Sequence, residues 1–159
     1  MIEFSFKQTE NQRKNRIIKY VLDEYSFNMF PIHNKSLPAL LIKSINIVFD
    51  HNSKSVVDFW GYCPYTNWVK MSLYPPKSIC GELLINSELE CNEIATYHIA
   101  DKWQIRHDSS NGWICIGEMN LLKHYIAIEF QPNIIAVLDN VNLTALWIKP
   151  QFDGNAMYY

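Results

Sequence analysis

The sequence predicts a mainly β protein of the α+β kind: an antiparallel sandwich or open barrel of about eight to ten short strands with one N-terminal amphipathic helix. Three observations predict it. Short apolar or alternating stretches recur about every ten residues, separated by Asn, Asp, Gly and Pro turn signals. Aromatic residues, which suit a pleated and half-buried surface, are abundant at five Trp, nine Tyr and eight Phe. Of 159 residues, 48% are hydrophobic and 19% charged, the mixture of one ordinary globular domain whose core needs neither disulfide nor metal.

Along the chain, Glu3-Phe4-Ser5-Phe6 alternates and reads as a strand. Thr9 opens the predicted helix, because Thr9-x-x-Gln12 has the pattern of a capping box. Ile17, Ile18, Val21, Leu22 and Tyr25 then form one apolar stripe at helical spacing. Arg13, Lys14, Arg16 and Lys19 fall mostly off that stripe, as a solvated face does, although four cations could also hold phosphate. Residues 27–38 read as a loop broken by Pro31, Asn34, Ser36 and Pro38. Residues 40–50 end in strand-like alternation at Ile45, Ile47 and Phe49, and with Val56 to Tyr62 they suggest a hairpin over 43–62.

Residues 66–73 fit a strand or a short helix, and Tyr74-Pro75-Pro76 stops them. Strands are expected at 79–85, 95–99, 103–107, 113–116, 125–130, 134–138 and 143–148. Asn111-Gly112 is the strongest hairpin signal, since both residues tolerate positive φ. Pro132-Asn133 and Asp139-Asn140 mark two further turns. Residues 1–150 are expected to form a single globular domain and 151–159 a loosely ordered tail.

The start of the chain lacks a basic segment followed by an apolar one, and no run of about 18 apolar residues occurs, so a cytoplasmic protein is expected. Cys63, Cys80, Cys91 and Cys115 are 17, 11 and 24 residues apart, with no close pair to present two ligands to one metal, and are expected to be free thiols. The histidines at 33, 51, 98, 107 and 124 include no HxH, HxxxH or HExxH. No GxSxG, Walker loop or GxGxxG occurs. His107 and Cys115 could meet across the Asn111-Gly112 hairpin as a nucleophilic pair, but Cys115 lies in an apolar run where an inert buried thiol is the ordinary outcome. Glu82 and Glu129 each lie on a predicted strand and could pair, which is common without catalysis. No catalytic residue, cofactor or metal ligand is expected, and with a pI near 6.2 no nucleic-acid partner.

Charge is unevenly spread. Residues 1–77 hold ten Lys and Arg against six Asp and Glu, whereas 78–159 hold four against ten. From Ser78 to Ala100 there is no Lys or Arg, while Glu82, Glu88, Glu90 and Glu93 all occur. Such a cluster is a solvated face or a surface meant for a basic partner.

The run Phe59-Trp60-Gly61-Tyr62-Cys63-Pro64-Tyr65 with Trp68, Pro75-Pro76, Gly81 and Leu83 is distinctive. It continues in Trp103, Gly112-Trp113-Ile114-Cys115-Ile116-Gly117, Ile126 to Phe130, Asn133 to Leu138 and Leu143 to Pro150. Over about residues 59–150 this resembles small bacterial immunity proteins of contact-dependent growth inhibition and polymorphic toxin systems. The resemblance implies a non-catalytic cytoplasmic protein, monomeric or weakly dimeric, that binds and neutralises the C-terminal domain of a cognate toxin, with no nucleic acid or membrane as direct partner. On that reading Glu88, Glu90, Glu93, Asp101 and Asp108 would meet a basic toxin, with Tyr97 or Trp103 as aromatic anchor. Gly61 and Gly81 would be bulge or close-approach glycines, and Trp113 and Trp147 core residues. The competing reading is a small-ligand-binding or enzymatic β-barrel with a pocket lined by Trp, Tyr and His.

Overall fold

Two strand periodicities run through the chain, and they separate its two sheets. Where apolar residues alternate with polar ones, a strand buries one face; where they run continuously, it buries both. The computed structural model describes residues 2–10, 16–32, 36–121 and 123–154. Its strands are β1 (Glu3–Gln8), β2 (Ile17–Val21), β3 (Ser26–Phe30), β4 (Ala39–Ile42), β5 (Ile45–Phe49), β6 (Val56–Tyr62), β7 (Val69–Lys70) and β8 (Ile79–Asn86). There follow β9 (Ile94–Thr96), β10 (Ile105–His107), β11 (Ile114–Gly117), β12 (Tyr125–Gln131), β13 (Ile134–Asp139), β14 (Asn142–Ile148) and β15 (Gln151–Asp153).

Sheet one has eight strands in the order β1-β8-β12-β13-β14-β11-β10-β7, and sheet two has seven in the order β15-β2-β3-β6-β5-β4-β9. Both are mixed rather than purely antiparallel: β8 and β12, β7 and β10, β2 and β15, and β4 and β9 pair in parallel. The inner faces share one apolar layer. Ile18, Tyr20, Phe27, Leu40, Ile47 and Phe59 supply it from sheet two, and Phe4, Leu83, Ile128, Ala136 and Leu146 from sheet one. A bridge between Ser55 and Leu84 ties the two sheets along one side. No helix among the described residues is long and apolar enough to cross a membrane.

Four expectations are corrected here. In the described part of the expected N-terminal helix, Thr9 instead donates its backbone N–H to Cys80 O at 3.2 Å, next to the β1–β8 pairing, and the residues from Arg16 on carry strand β2. Ile18, Tyr20 and Leu22 are buried while Ile17 is exposed, the period of two that a strand imposes. The same apolar residues also fit a helical stripe. Their β-branched and aromatic character, together with pairing to β3 on one side and β15 on the other, decides for the strand. The proposed cap at Gln12, and Arg13 and Lys14, lie outside the described residues. The loop expected over 27–38 begins as β3, with Phe27 and Met29 pointing inward. The tail expected from Gln151 opens as β15, and Phe152 packs against the core. The stretch 40–50 is two strands, joined at Lys43-Ser44 with Lys43 at φ 52°. That turn carries no Gly, Asn or Asp to announce it.

Sheet one is buried on both faces at its centre. β13 reads Ile-Ile-Ala-Val-Leu and all five of these residues are buried. Its outward Ile135 and Val137 join Trp147, Cys115, Ala127 and Ala145 in a second apolar cluster. A strap over residues 71–77 covers that cluster with Leu73 and Met71. Pro75 and Pro76 cannot donate to a ladder, so this segment lies over the sheet instead of extending it. The turn after β10 clasps it: Leu73 N donates to Asp108 Oδ2 at 2.9 Å, and Asn111 Nδ2 donates to Leu73 O at 2.9 Å.

Gly61 and Gly81 are close-approach glycines. A Cβ on Gly61 (φ +153°) would stand 2.4 Å from Ser44 O, and one on Gly81 would stand 2.8 Å from Lys7 O. Tyr20 knits the open end of the sandwich. Its hydroxyl donates to Cys63 O at 2.6 Å and accepts from Tyr65 N at 3.0 Å, and its ring contacts those of Phe27, Trp68 and Phe152.

Two outcomes follow. Tyr20→Phe removes a hydroxyl that serves two backbone groups, and urea denaturation is expected to show a loss of about 1–3 kcal/mol with an unchanged slope. Asp108→Ala releases the strap, so the Leu73 amide exchanges hydrogen faster while amides of β13 keep their protection. Equal acceleration in both places would show that the strap is not a separate unit.

Candidate functional site

The seven residues expected to meet a partner divide by burial. Glu88, Glu90, Glu93 and Asp101 are exposed. Tyr97, Trp103 and Asp108 are buried, which corrects their expected role. The Tyr97 hydroxyl donates to Leu143 O and accepts from Leu143 N, at 3.0 and 3.1 Å, and its ring meets Phe4 edge-on. Trp103 packs beside it within the common core. Asp108 faces inward to hold the strap, and its carboxyl is held below the ordinary range by the Ser110 hydroxyl and the Leu73 backbone N–H. A hydrophilic residue that organises a loop from within looks, in sequence, like one that faces a partner.

The acidic loop spans residues 87–93 between β8 and β9. Leu89 anchors it to the core, with Leu89 O against His51 Nδ1 at 3.2 Å, and Lys54 Nζ donates to Ser87 O at 3.0 Å. Its tip is closed internally, since Glu90 N donates to Glu93 Oε1 at 2.8 Å and Glu93 N to Glu90 O at 3.1 Å. The loop is therefore a shaped turn that turns Glu88 and Glu90 to solvent. Asp101 lies at the far end of β9, beside His98 Nδ1 at 3.1 Å, with Lys102 next to it.

The loop borders a surface that motif reading missed, the outer face of sheet two. Because Phe59 and Gly61 turn inward, Trp60 between them turns out. The register sets Lys19 opposite Asn28, Trp60 opposite Asn46, and Asn46 and Thr96 on either side of Leu41. Continuing the pairing of Ser26 with Tyr62 and Phe27 with Gly61 places Asn28 beside Trp60. The indole thus stands between two carboxamides in a row across the sheet. The next row carries Asp58, Val48, Ala39 and Ile94. Asn28, Trp60 and Asn46 of the first row and the whole of the second, with Ile32, Leu37 and Asn92, line an open depression of about 440 Å³. Trp60, Ile94 and Ile32 are 47%, 62% and 67% exposed, large values for apolar side chains gathered in one place. The alternation of β6 was the available signal for it.

Arg16 stiffens the side of the depression that Asp58 lines. Its guanidinium pairs with Asp58 Oδ1 at 3.0 Å, donates to Pro31 O from Nε and Nη2 at 3.2 and 2.9 Å, and donates to Val57 O from Nη1. Asp58 also accepts from Phe59 N at 2.9 Å. Arg16 therefore serves this framework rather than a solvated helix face. Lys19 lies 5.4 Å over the Phe30 ring.

His107 and Cys115 do not meet. Register places Arg106, not His107, opposite Cys115. His107 lies in the layer between the sheets against Trp68 and Phe152, while Cys115 belongs to the cluster on the other face. Burial pushes the Cys115 thiol up to about 12 and the Cys63 thiol up to about 11. Glu82 accepts from Ser55 Oγ at 3.4 Å and Glu129 from Asn133 N at 3.1 Å, and the parallel pairing of β8 with β12 sets Glu129 opposite Cys80, two residues before Glu82. Among the described residues no three His, Cys, Asp or Glu side chains converge as a metal site. Tyr20, Trp68 and His107 are buried in the core.

Compared with known proteins, the chain matches no family model and no curated protein.

Burial lowers the affinity of His107 for a proton, with Lys70 adding to that and Asp108 opposing it. The unfolded chain thus binds this proton more readily. Stability is complete above the unfolded value of about 6.5 and declines as the pH falls below it. The midpoint of thermal unfolding is expected to drop between about pH 7.5 and pH 5, and less in His107→Asn. An equal drop in both would assign the effect elsewhere. Of the four thiols only Cys91 is exposed, so an aromatic disulfide reagent should titrate it rapidly and reach Cys63 and Cys115 only on unfolding.

Proposed function

We propose that this chain is a non-catalytic inhibitor that binds and neutralises a basic toxin domain, in the manner of the immunity proteins its sequence resembles. The observation that carries this reading is the acidic turn 87–93: three exposed glutamates on a preformed loop, in a stretch of 23 residues without Lys or Arg. Structural solvation alone does not require a shaped turn of one sign. Carboxylates at a rim act on encounter: they draw a basic surface in from about 8 Å at physiological salt and orient it before contact. A toxin that cleaves or binds a polyanion needs a basic cleft, and an acidic surface seated there excludes the substrate without any chemistry. The loop fits such a task, since Leu89 in the core and the Glu90–Glu93 closure fix the shape it presents.

In the strain that encodes the chain, deletion of its gene is expected to leave cells inhibited by contact with their parents, and a plasmid copy to restore growth. Growth of the deletion strain undisturbed by its parents would sink the reading. With the partner domain recovered by co-purification, replacing Glu88, Glu90 and Glu93 with Lys should slow association about tenfold or more at low salt and narrow that gap as salt rises. Unchanged association at both salts, in a variant that melts normally, would remove the acidic turn from the interface.

A further inference from the structure

We infer that the outer face of sheet two, centred on Trp60, is the surface on which the basic partner docks, with the acidic turn as its rim; this rests on the function proposed above. Three observations meet there. The first is the gathering of exposed apolar side chains, Trp60, Ile94 and Ile32, around one depression of about 440 Å³. Isolated exposed apolar residues are ordinary, but a contiguous group on one sheet face is the mark of a contact surface. The second is contiguity: Asn92 and Ile94 line the depression and belong to the segment that carries Glu90 and Glu93. An apolar centre and a charged rim are the anatomy of a protein interface, and a half-sunk Trp is the commonest anchor. The third is rigidity. The Arg16–Asp58 pair and the backbone carbonyls of Pro31 and Val57 fix the side of the depression that Asp58 lines, so little order has to be gained on binding there.

The same observations choose the occupant. It is a protein surface with Lys or Arg around an apolar side chain that fills the recess beside the indole. Asn28 and Asn46, one on each side of Trp60, offer donors and acceptors to its backbone. Nucleic acid and an anionic membrane would both be repelled by Glu90 and Glu93, which flank Asn92 at the edge of the depression. A second copy of this chain would bring a second set of the same acids.

The test returns a plasmid copy carrying Trp60→Ala or Trp60→Phe to the deletion strain, with parental cells delivering the toxin. Trp60 lies on an outer face, so both variants should melt near the parent chain, and this is measured first. The inference expects the Ala copy to fail to protect and the Phe copy to protect in part. It also expects affinity for the co-purified partner to fall by about thirtyfold or more in the Ala variant, through faster dissociation with association unchanged. Replacing the glutamates alters association instead, so the two roles separate. If the unaltered copy protects and the Ala copy protects equally well, the docking face is wrong and the function stands. If the deletion strain needs no protection, the function falls and the docking face with it. A concentration-dependent dimer in sedimentation that Trp60→Ala dissolves would give the face to a second copy and overturn the inference.

Discussion

The central strands of sheet one leave no face for water, and the rest of the structure answers to that. β13 and β14 carry continuous apolar runs, so whatever lies on either side must be covered. Sheet two covers one side. The strap over 71–77, with Met119, Trp113 and Tyr125, covers the other. The strap lacks ladder bonds of its own to sheet one's central strands, so it depends on side-chain clasps, and Asp108 and Asn111 supply them. A carboxylate and a carboxamide that look like surface groups thereby become parts of a second core.

With sheet one covered on both faces at its centre, the outer face of sheet two carries the exposed apolar group proposed above as the docking surface. It carries an indole, two isoleucines and a row of carboxamides beside a locked ion pair. A buried Arg–Asp pair is a weak source of stability, because desolvation offsets most of the attraction. Its satisfied geometry instead holds β6 and the segment at Pro31 in one arrangement. The acidic turn is held just as closely, through Leu89 in the core and the Glu90–Glu93 closure. On the function proposed above, the two tasks of recognition separate: charge at the rim would govern how fast a partner arrives, and the ring at the centre how long it stays.

Much of the β architecture was legible because strands announce themselves through local alternation and turn chemistry. The strands at 79–86, 114–117, 125–131, 134–139 and 142–148, the turns at Asn133 and Asn140 and the hairpin across Asn111-Gly112 lie where the pattern places them, whereas the strand expected over 95–99 ends at Thr96 and gives way to a 3-10 turn over His98–Lys102. The misreadings share a cause. Residues 17–22 satisfy a helical and a strand period at once, and pairing with β3 and β15 chose between them. Lys43-Ser44 turns without Gly, Asn or Asp because the two strands it joins pack on the core. Tyr97, Trp103 and Asp108 were placed on the surface because a polar or amphipathic side chain near a loop carries no local record of which way it faces.

What the sequence by itself determined is the class of protein: a β-rich chain with apolar runs sufficient for a covered core, one acidic stretch, and no spacing that assembles a nucleophile or a metal. These properties are short-range, set by side-chain size, charge and period within about ten residues. Which residues meet the outside was decided by tertiary structure. The strap that hides Trp147, the alternation that turns Trp60 out while Phe59 and Gly61 turn in, and the inward Asp108 all depend on contacts between residues far apart in the chain. Exposure is a property of what packs on top of a residue, and that is not written in its neighbours.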